Sequence, residues 1–264
     1  MKKTLLLAAA LMVVSATMAS AQRGTLSLGW ANCRVNGGGV QNASFACTTN
    51  GGQGALLVGG FIPSAQANLN SLNSAFLYVD IYQTSASLDP WWMFNDPPVV
   101  GCRALTIWGL DLGNAAGATC DRAYWSEVGP PSSASRFFYP GPLGANHGTF
   151  RILVAVDASV ATTTPQIGAG EESHVFGARL GRQNSTGAGS CAGCLNQAHL
   201  YFAQADFFQT NLDNFVIDGV GLPNAPVNGT KCATWQVANA AVDGCPVVTP
   251  ARNNSWGSIK SLYR

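Results

Sequence analysis

The sequence predicts an all-β protein, a two-sheet β-sandwich stapled by disulfides. Three observations lead there. Apolar residues recur with period two in short runs, Gly, Pro, Asn and Ser clusters separate those runs, and eight cysteines follow an export signal. Eight or more short strands in a chain of 264 residues point to two packed sheets, in jelly-roll or immunoglobulin-like order.

The chain opens with "MKKTLLLAAALMVVSATMASAQ". Lys2 and Lys3 form a positive start, Leu5 to Val14 an apolar stretch too short to span a bilayer, and Ala19-Ser20-Ala21 a cleavage site. Residues 1–21 are therefore expected to be a signal peptide, residues 22–250 a β-sandwich domain and residues 251–264 a C-terminal tail. No later run of about 18 apolar residues suggests a membrane span. Removing Lys2 and Lys3 leaves 12 basic against 13 acidic residues. With no basic stripe, nucleic acid is not an expected partner. Charged residues make up 10% of the chain, against roughly 25% in an ordinary soluble domain. A surface of Gly, Ser, Thr, Asn and Gln suits a secreted protein at the cell surface, in the periplasm or outside the cell.

Candidate strands are "TLSLGW" (25–30), "GALLVGGFI" (54–62), "AFLYVDIYQ" (75–83) and "ALTIWGLDL" (104–112). "FRILVAVD" (150–157), "SHVFGARLG" (173–181), "AHLYFAQADFF" (198–208) and "DNFVIDGV" (213–220) follow. In the third run, Leu77, Val79 and Ile81 share one face and Phe76, Tyr78, Asp80 and Tyr82 the other. The aliphatic face is expected in the core, and the aromatic face against a second layer or a ligand. In 198–208, Leu200, Phe202 and Gln204 alternate with Tyr201 and Ala203. Residues 63–73 read as room for a helical turn, and residues 256–264 as a short terminal helix with Trp256, Ile259 and Leu262 on one side. The Pro-rich segments "FNDPPVVG", "VGPPSSASRFFYPGPLG" and "GLPNAPVNG" read as loops.

The cysteines are Cys33, Cys47, Cys102, Cys120, Cys191, Cys194, Cys232 and Cys245. Proximity along the chain favours the pairs 33–47, 102–120, 191–194 and 232–245. "CAGC" (191–194) also admits a redox or zinc reading. A thioredoxin-type motif needs a following helix to lower the thiolate pKa, and the segment after this one alternates as a strand does. A zinc site wants a second close pair, whereas His147, His174 and His199 are scattered. A structural disulfide is the expectation, with no metal and no cofactor.

In "SLDPWWMFND", an extended backbone would put Trp92 and Phe94 on one face and Trp91 on the other. Trp91 and Trp92, with Tyr78 and Tyr82, are candidate ligand-binding aromatics. The alternative is that the tryptophans plug one end of the sandwich. Glu127, Glu171 and Glu172 are the only glutamates, so a hydrolase would have to draw on them. No G-x-S-x-G elbow, H-E-x-x-H motif, P-loop or EF-hand spacing is present, and no catalytic residue is assigned.

"LGWANC", "QNASFACTTNGGQGALLVGGFIP", "DPWWMF", "GAGSCAGC" and "NNSWGSIKSLYR" together resemble a group of uncharacterised secreted bacterial proteins. Its landmarks are Trp-x-x-Cys and Asn-x-x-Phe-Ala-Cys-x-Thr-Asn. The resemblance implies export and disulfides and carries no activity. The expected function is a non-enzymatic extracellular structural or binding role, with the chain itself or a glycan as partner. A carbohydrate-binding module and a secreted hydrolase are the alternatives.

Overall fold

The computed structural model describes residues 23–64, 72–83, 87–95, 100–104, 108–114, 116–127, 131–140, 149–158, 166–210, 212, 214–218, 230–236 and 245. The expected signal peptide, the terminal tail and most of the 63–73 segment lie outside them.

The strands in chain order are β1 (Gly24–Trp30), β2 (Asn42–Ala43), β3 (Ala55–Pro63), β4 (Leu72–Tyr82), β5 (Phe94–Asn95), β6 (Arg103–Ala104) and β7 (Trp108–Asp111). After them come β8 (Arg122–Ala123), β9 (Pro131–Pro140), β10 (Thr149–Ala158), β11 (Ser173–Leu180), β12 (Ala198–Gln209), β13 (Phe215–Asp218) and β14 (Cys232–Trp235). A single helical turn, α1 (Tyr124–Glu127), follows β8 directly.

Two mixed sheets form the sandwich. The five-stranded sheet has the order β1-β3-β11-β7, with β8 also on β11. The seven-stranded sheet has the order β2-β14-β12-β4-β10-β9, with β13 also on β12. The set β1-β3-β11-β7 facing β14-β12-β4 is the A-B-E-D and G-F-C order of the immunoglobulin sandwich. The hairpin β9–β10 extends the second sheet beyond its C position, and it is inserted in the chain between the D and E positions.

Alternation sets the two inner faces. Leu26, Leu28 and Trp30 of β1 face Ala75, Leu77, Val79 and Ile81 of β4 and Ile152, Val154 and Val156 of β10 across one buried cluster. Rings close the gap between sheets, with centroids 4.8 Å apart for Phe61–Phe207 and 5.3 Å for Phe176–Phe202. Each fully buried side chain of this kind contributes roughly 1.5–3 kcal/mol.

Four expectations are corrected. Residues 131–140, expected as loop, form β9. Its prolines sit at the two ends of an edge strand, where a missing N–H costs least. Residues 90–92 make a 3₁₀ turn, started by Pro90, rather than the extended run that would split Trp91 from Trp92. The described ends of the 104–112 run belong to different sheets: Ala104, in β6, lies on β5, while Trp108–Asp111, β7, lies on β11. In β12 the register shifts between Phe202 and Gln204, so the inward phase moves from even to odd positions. Ala198, Leu200 and Phe202 point inward before the bulge and Ala205 and Phe207 after it, which turns Gln204 outward.

All eight cysteines are bonded, and three of the four neighbour pairings are wrong. The bonds are Cys33–Cys120, Cys47–Cys194, Cys102–Cys191 and Cys232–Cys245. Only the 232–245 link follows chain proximity. Cys191 and Cys194 share one turn but bond to different segments. The turn forms because Gly193 sits at φ +107°, where a Cβ would stand 2.2 Å from Asp89 Cβ. Closing loops of 87 and 147 residues is worth about 4.5–5 kcal/mol each in the chain-entropy model, more than a C-x-x-C link could supply. Non-reducing peptide mapping of the folded protein should return these four links. A Cys191–Cys194 peptide would contradict the fold at this end.

Candidate functional site: the outer face of the seven-stranded sheet

The same alternation that buries Leu77, Val79 and Ile81 turns Phe76, Tyr78 and Tyr82 outward on β4. The neighbouring β12 turns out His199, Tyr201, Gln204, Asp206 and Phe208, and the bulge brings Gln204 level with Tyr78. Phe76 and Phe208 meet edge to face at 5.4 Å between centroids. The Tyr78 hydroxyl donates to Asp206 Oδ2 at 3.3 Å, and Gln204 Nε2 donates to Asp206 Oδ1 at 2.6 Å. At the other end, Tyr82 lies 6.1 Å from His199, which stacks at 6.2 Å on Tyr201. Burial, reinforced by Tyr82, pushes the Tyr201 phenol up to about 12, so it stays a neutral hydrogen-bond donor. Phe76 is 40% exposed and Val216, on the adjoining β13, 58% exposed.

The result is a firm sheet face carrying aromatic rings, with carboxylate, amide and hydroxyl groups between them. Aromatic faces and hydrogen-bonding groups on one rigid surface can hold a ligand that is flat, neutral and rich in hydroxyls. Tyr78 and Tyr82 therefore lie where the outward alternation put them. His199, Tyr201, Gln204, Asp206 and Phe208 join them. The alternation before the bulge already turns His199 and Tyr201 outward, whereas the bulge obscured the outward phase of Gln204, Asp206 and Phe208.

Trp91 and Trp92 do not join this face. Both are fully buried at one end of the sandwich, 4.8 and 5.6 Å from Trp235. Neither offers a surface to a sugar. Arg103 completes this plug, its guanidinium 3.8 Å from the centre of the Trp91 ring. It donates to the carbonyls of Trp91 at 3.2 Å and of Gly181. Burial pushes its pKa down to about 9.

The three glutamates are committed to structure. Glu172 is fully buried beneath residues 31–40 and accepts from the backbone N–H of Val35 at 2.9 Å and of Asn36 at 2.6 Å, and from Ser27 Oγ. Glycine at 60 makes this possible, because a Cβ there would crowd both Ser27 Oγ and the Glu172 carboxylate. Glu171 accepts from the Gly168 N–H at 2.7 Å, and Glu127 pairs with Arg122. The segment that Glu172 anchors is tied by Cys33–Cys120 and covers the outer side of the five-stranded sheet.

Under that cover lies His174, 1% exposed, with no partner at Nδ1. Desolvation pushes its pKa down to about 4, against the opposing pull of Asp111. Among the described residues, no group of three or more His, Cys, Asp and Glu is placed to hold a metal ion, and no helix is long and apolar enough to cross a membrane. Compared with known proteins, the chain matches no family model and no curated sequence.

Two outcomes follow from the covered side. The folded value of His174 lies below its unfolded value of 6.5, so only the unfolded chain takes up this proton between pH 6.5 and 4. Its contribution is intact above pH 6.5 and falls by about 3 kcal/mol on acidification to pH 4. Denaturant unfolding should give a stability-versus-pH curve flatter by that amount in His174→Gln, and parallel curves would contradict it. Glu172→Ala should cost about 3 kcal/mol and raise hydrogen exchange in residues 31–40. An unchanged exchange pattern there would contradict the anchoring role.

Proposed function

We propose that the protein is an exported, disulfide-stapled binding module, without catalysis of its own. Its ligand lies along the outer face of the seven-stranded sheet. The observation that carries this reading is the row of outward aromatics on β4 and β12, with Phe76 40% exposed, over a core that is already complete. Export is supported by the leader sequence and by four disulfides, which persist in oxidising compartments.

The ligand class that fits best is an extended glycan. Residues two apart on a strand are about 6.7 Å apart, so Phe76, Tyr78 and Tyr82 form a ladder suited to a repeating chain. Asp206, Gln204 and the tyrosine hydroxyls supply acceptors and donors for sugar hydroxyls. A neutral ligand also suits a chain with only 10% charged residues.

Pull-down of the mature protein on a panel of insoluble polysaccharides tests the proposal. Retention on at least one is expected. Phe76→Ala and Tyr78→Ala should each weaken it about fivefold, as loss of roughly 1 kcal/mol of aromatic contact would. Absence of retention across the panel, or retention indifferent to both changes, would remove the glycan reading.

A further inference from the structure

We infer that a cleft on the outer side of the five-stranded sheet, between Asp111 of β7 and Arg179 of β11, binds a small zwitterion of the α-amino acid class. The ligand carboxylate lies on the Arg179 guanidinium and the ligand ammonium on the Asp111 carboxylate. The cleft measures about 320 Å³ and is lined by Gly109, Leu110, Asp111, Ala116 and Arg179. Small-ligand sites begin at roughly 300 Å³.

Strand register builds the cleft. Asp111 pairs with Gly177 and Arg179 with Gly109, so each charged residue stands opposite a glycine. Trp108, Ala178 and Leu180 belong to the core, which puts Gly109, Asp111, Gly177 and Arg179 on the outer side. The two missing side chains leave the floor bare. The two charged residues occupy diagonal positions, about 7–8 Å apart in such a pair, and both are half-buried. Each is held by other groups. The Asp111 carboxylate accepts from the Ala116 N–H at 2.6 Å. Arg179 Nη1 donates to Gln53 Oε1 at 3.3 Å and to the Gly54 carbonyl at 3.4 Å, and among the described residues the guanidinium forms no ion pair. Two opposite charges thus share one cleft and are not spent on each other. An anion alone would be repelled by Asp111 and a cation alone by Arg179, whereas a ligand carrying both charges finds a partner at each end. The site lies on the other sheet from the aromatic face and does not rest on the glycan reading.

Saturation-transfer NMR titration of the mature protein with free glycine, L-alanine, L-glutamine and L-phenylalanine tests the inference. At least one should bind saturably. Its N-acetyl and its carboxamide derivatives each lack one of the two charges, and each should bind the unaltered protein about tenfold or more weakly. Asp111→Asn keeps an acceptor for the Ala116 N–H, and Arg179→Gln keeps a donor toward residues 53 and 54. Either change should weaken binding by a similar factor with near-UV circular dichroism unchanged. Gly109→Val should block the cleft by bulk alone, since a Cβ at 109 meets nothing closer than 3.6 Å. No saturable binding by any of the four, equal binding of a capped derivative, or binding indifferent to any of the three substitutions would overturn the inference. The polysaccharide pull-down reads the opposite face, so the two ideas fall separately.

Discussion

The turn at residues 191–194 ties one end of the sandwich together. Two cysteines from a single Gly-hinged turn reach Cys102 on one side and Cys47 on the other. The segments they hold carry the 3₁₀ turn with Trp91 and Trp92, and the stretch that brings Phe45 within 4.3 Å of Trp235. Hydrogen bonds repeat the tie, from the Trp91 backbone N–H to the Ala192 carbonyl at 2.9 Å and from the Trp235 indole Nε1 to the Cys194 carbonyl at 2.7 Å. Arg103, buried against Trp91, is tolerable only because carbonyls and rings surround the guanidinium. Covalent closure and aromatic packing act here as one unit, since loss of either exposes the polar groups that the other keeps satisfied.

The two sheets use their outer faces differently. On the five-stranded sheet, the segment held by Cys33–Cys120 and Glu172 makes a second small core around Val58 and Ala118. His174 is confined beneath it in neutral form. On the seven-stranded sheet, aromatic rings line the outward positions. A buried polar layer lies on one side of the sandwich and a ring-bearing layer on the other. That division underlies the proposed binding role, because a rigid face holds rings at fixed spacing and little order would be lost on binding.

Alternation made much of this fold legible. β1, β3, β4, β10, β11 and β12 lie where period-two runs place them, because a half-buried strand must alternate. The outward set on β4 was equally visible. What escaped was non-local. A bulge at Ala203 changes the phase of β12 without a sequence mark stronger than an alanine among aromatics. β9 escaped because prolines argue against a central strand and are silent about an edge. The cysteine partners escaped because strand pairing, not chain distance, brings Cys47 to Cys194 across 147 residues. Trp91 and Trp92 could be read as platform or plug, and only the position of Trp235 on β14 decides for plug.

The central claim is that the shared cysteine turn holds this end of the molecule closed. Thermal unfolding of Cys47→Ala/Cys194→Ala, compared with the unaltered protein, tests it most directly. Loss of a link across 147 residues is expected to lower Tm by about 10 °C or more, and to open Trp91 and Trp92 to acrylamide quenching before the sheets melt. An unchanged Tm with the tryptophans still shielded would contradict the account.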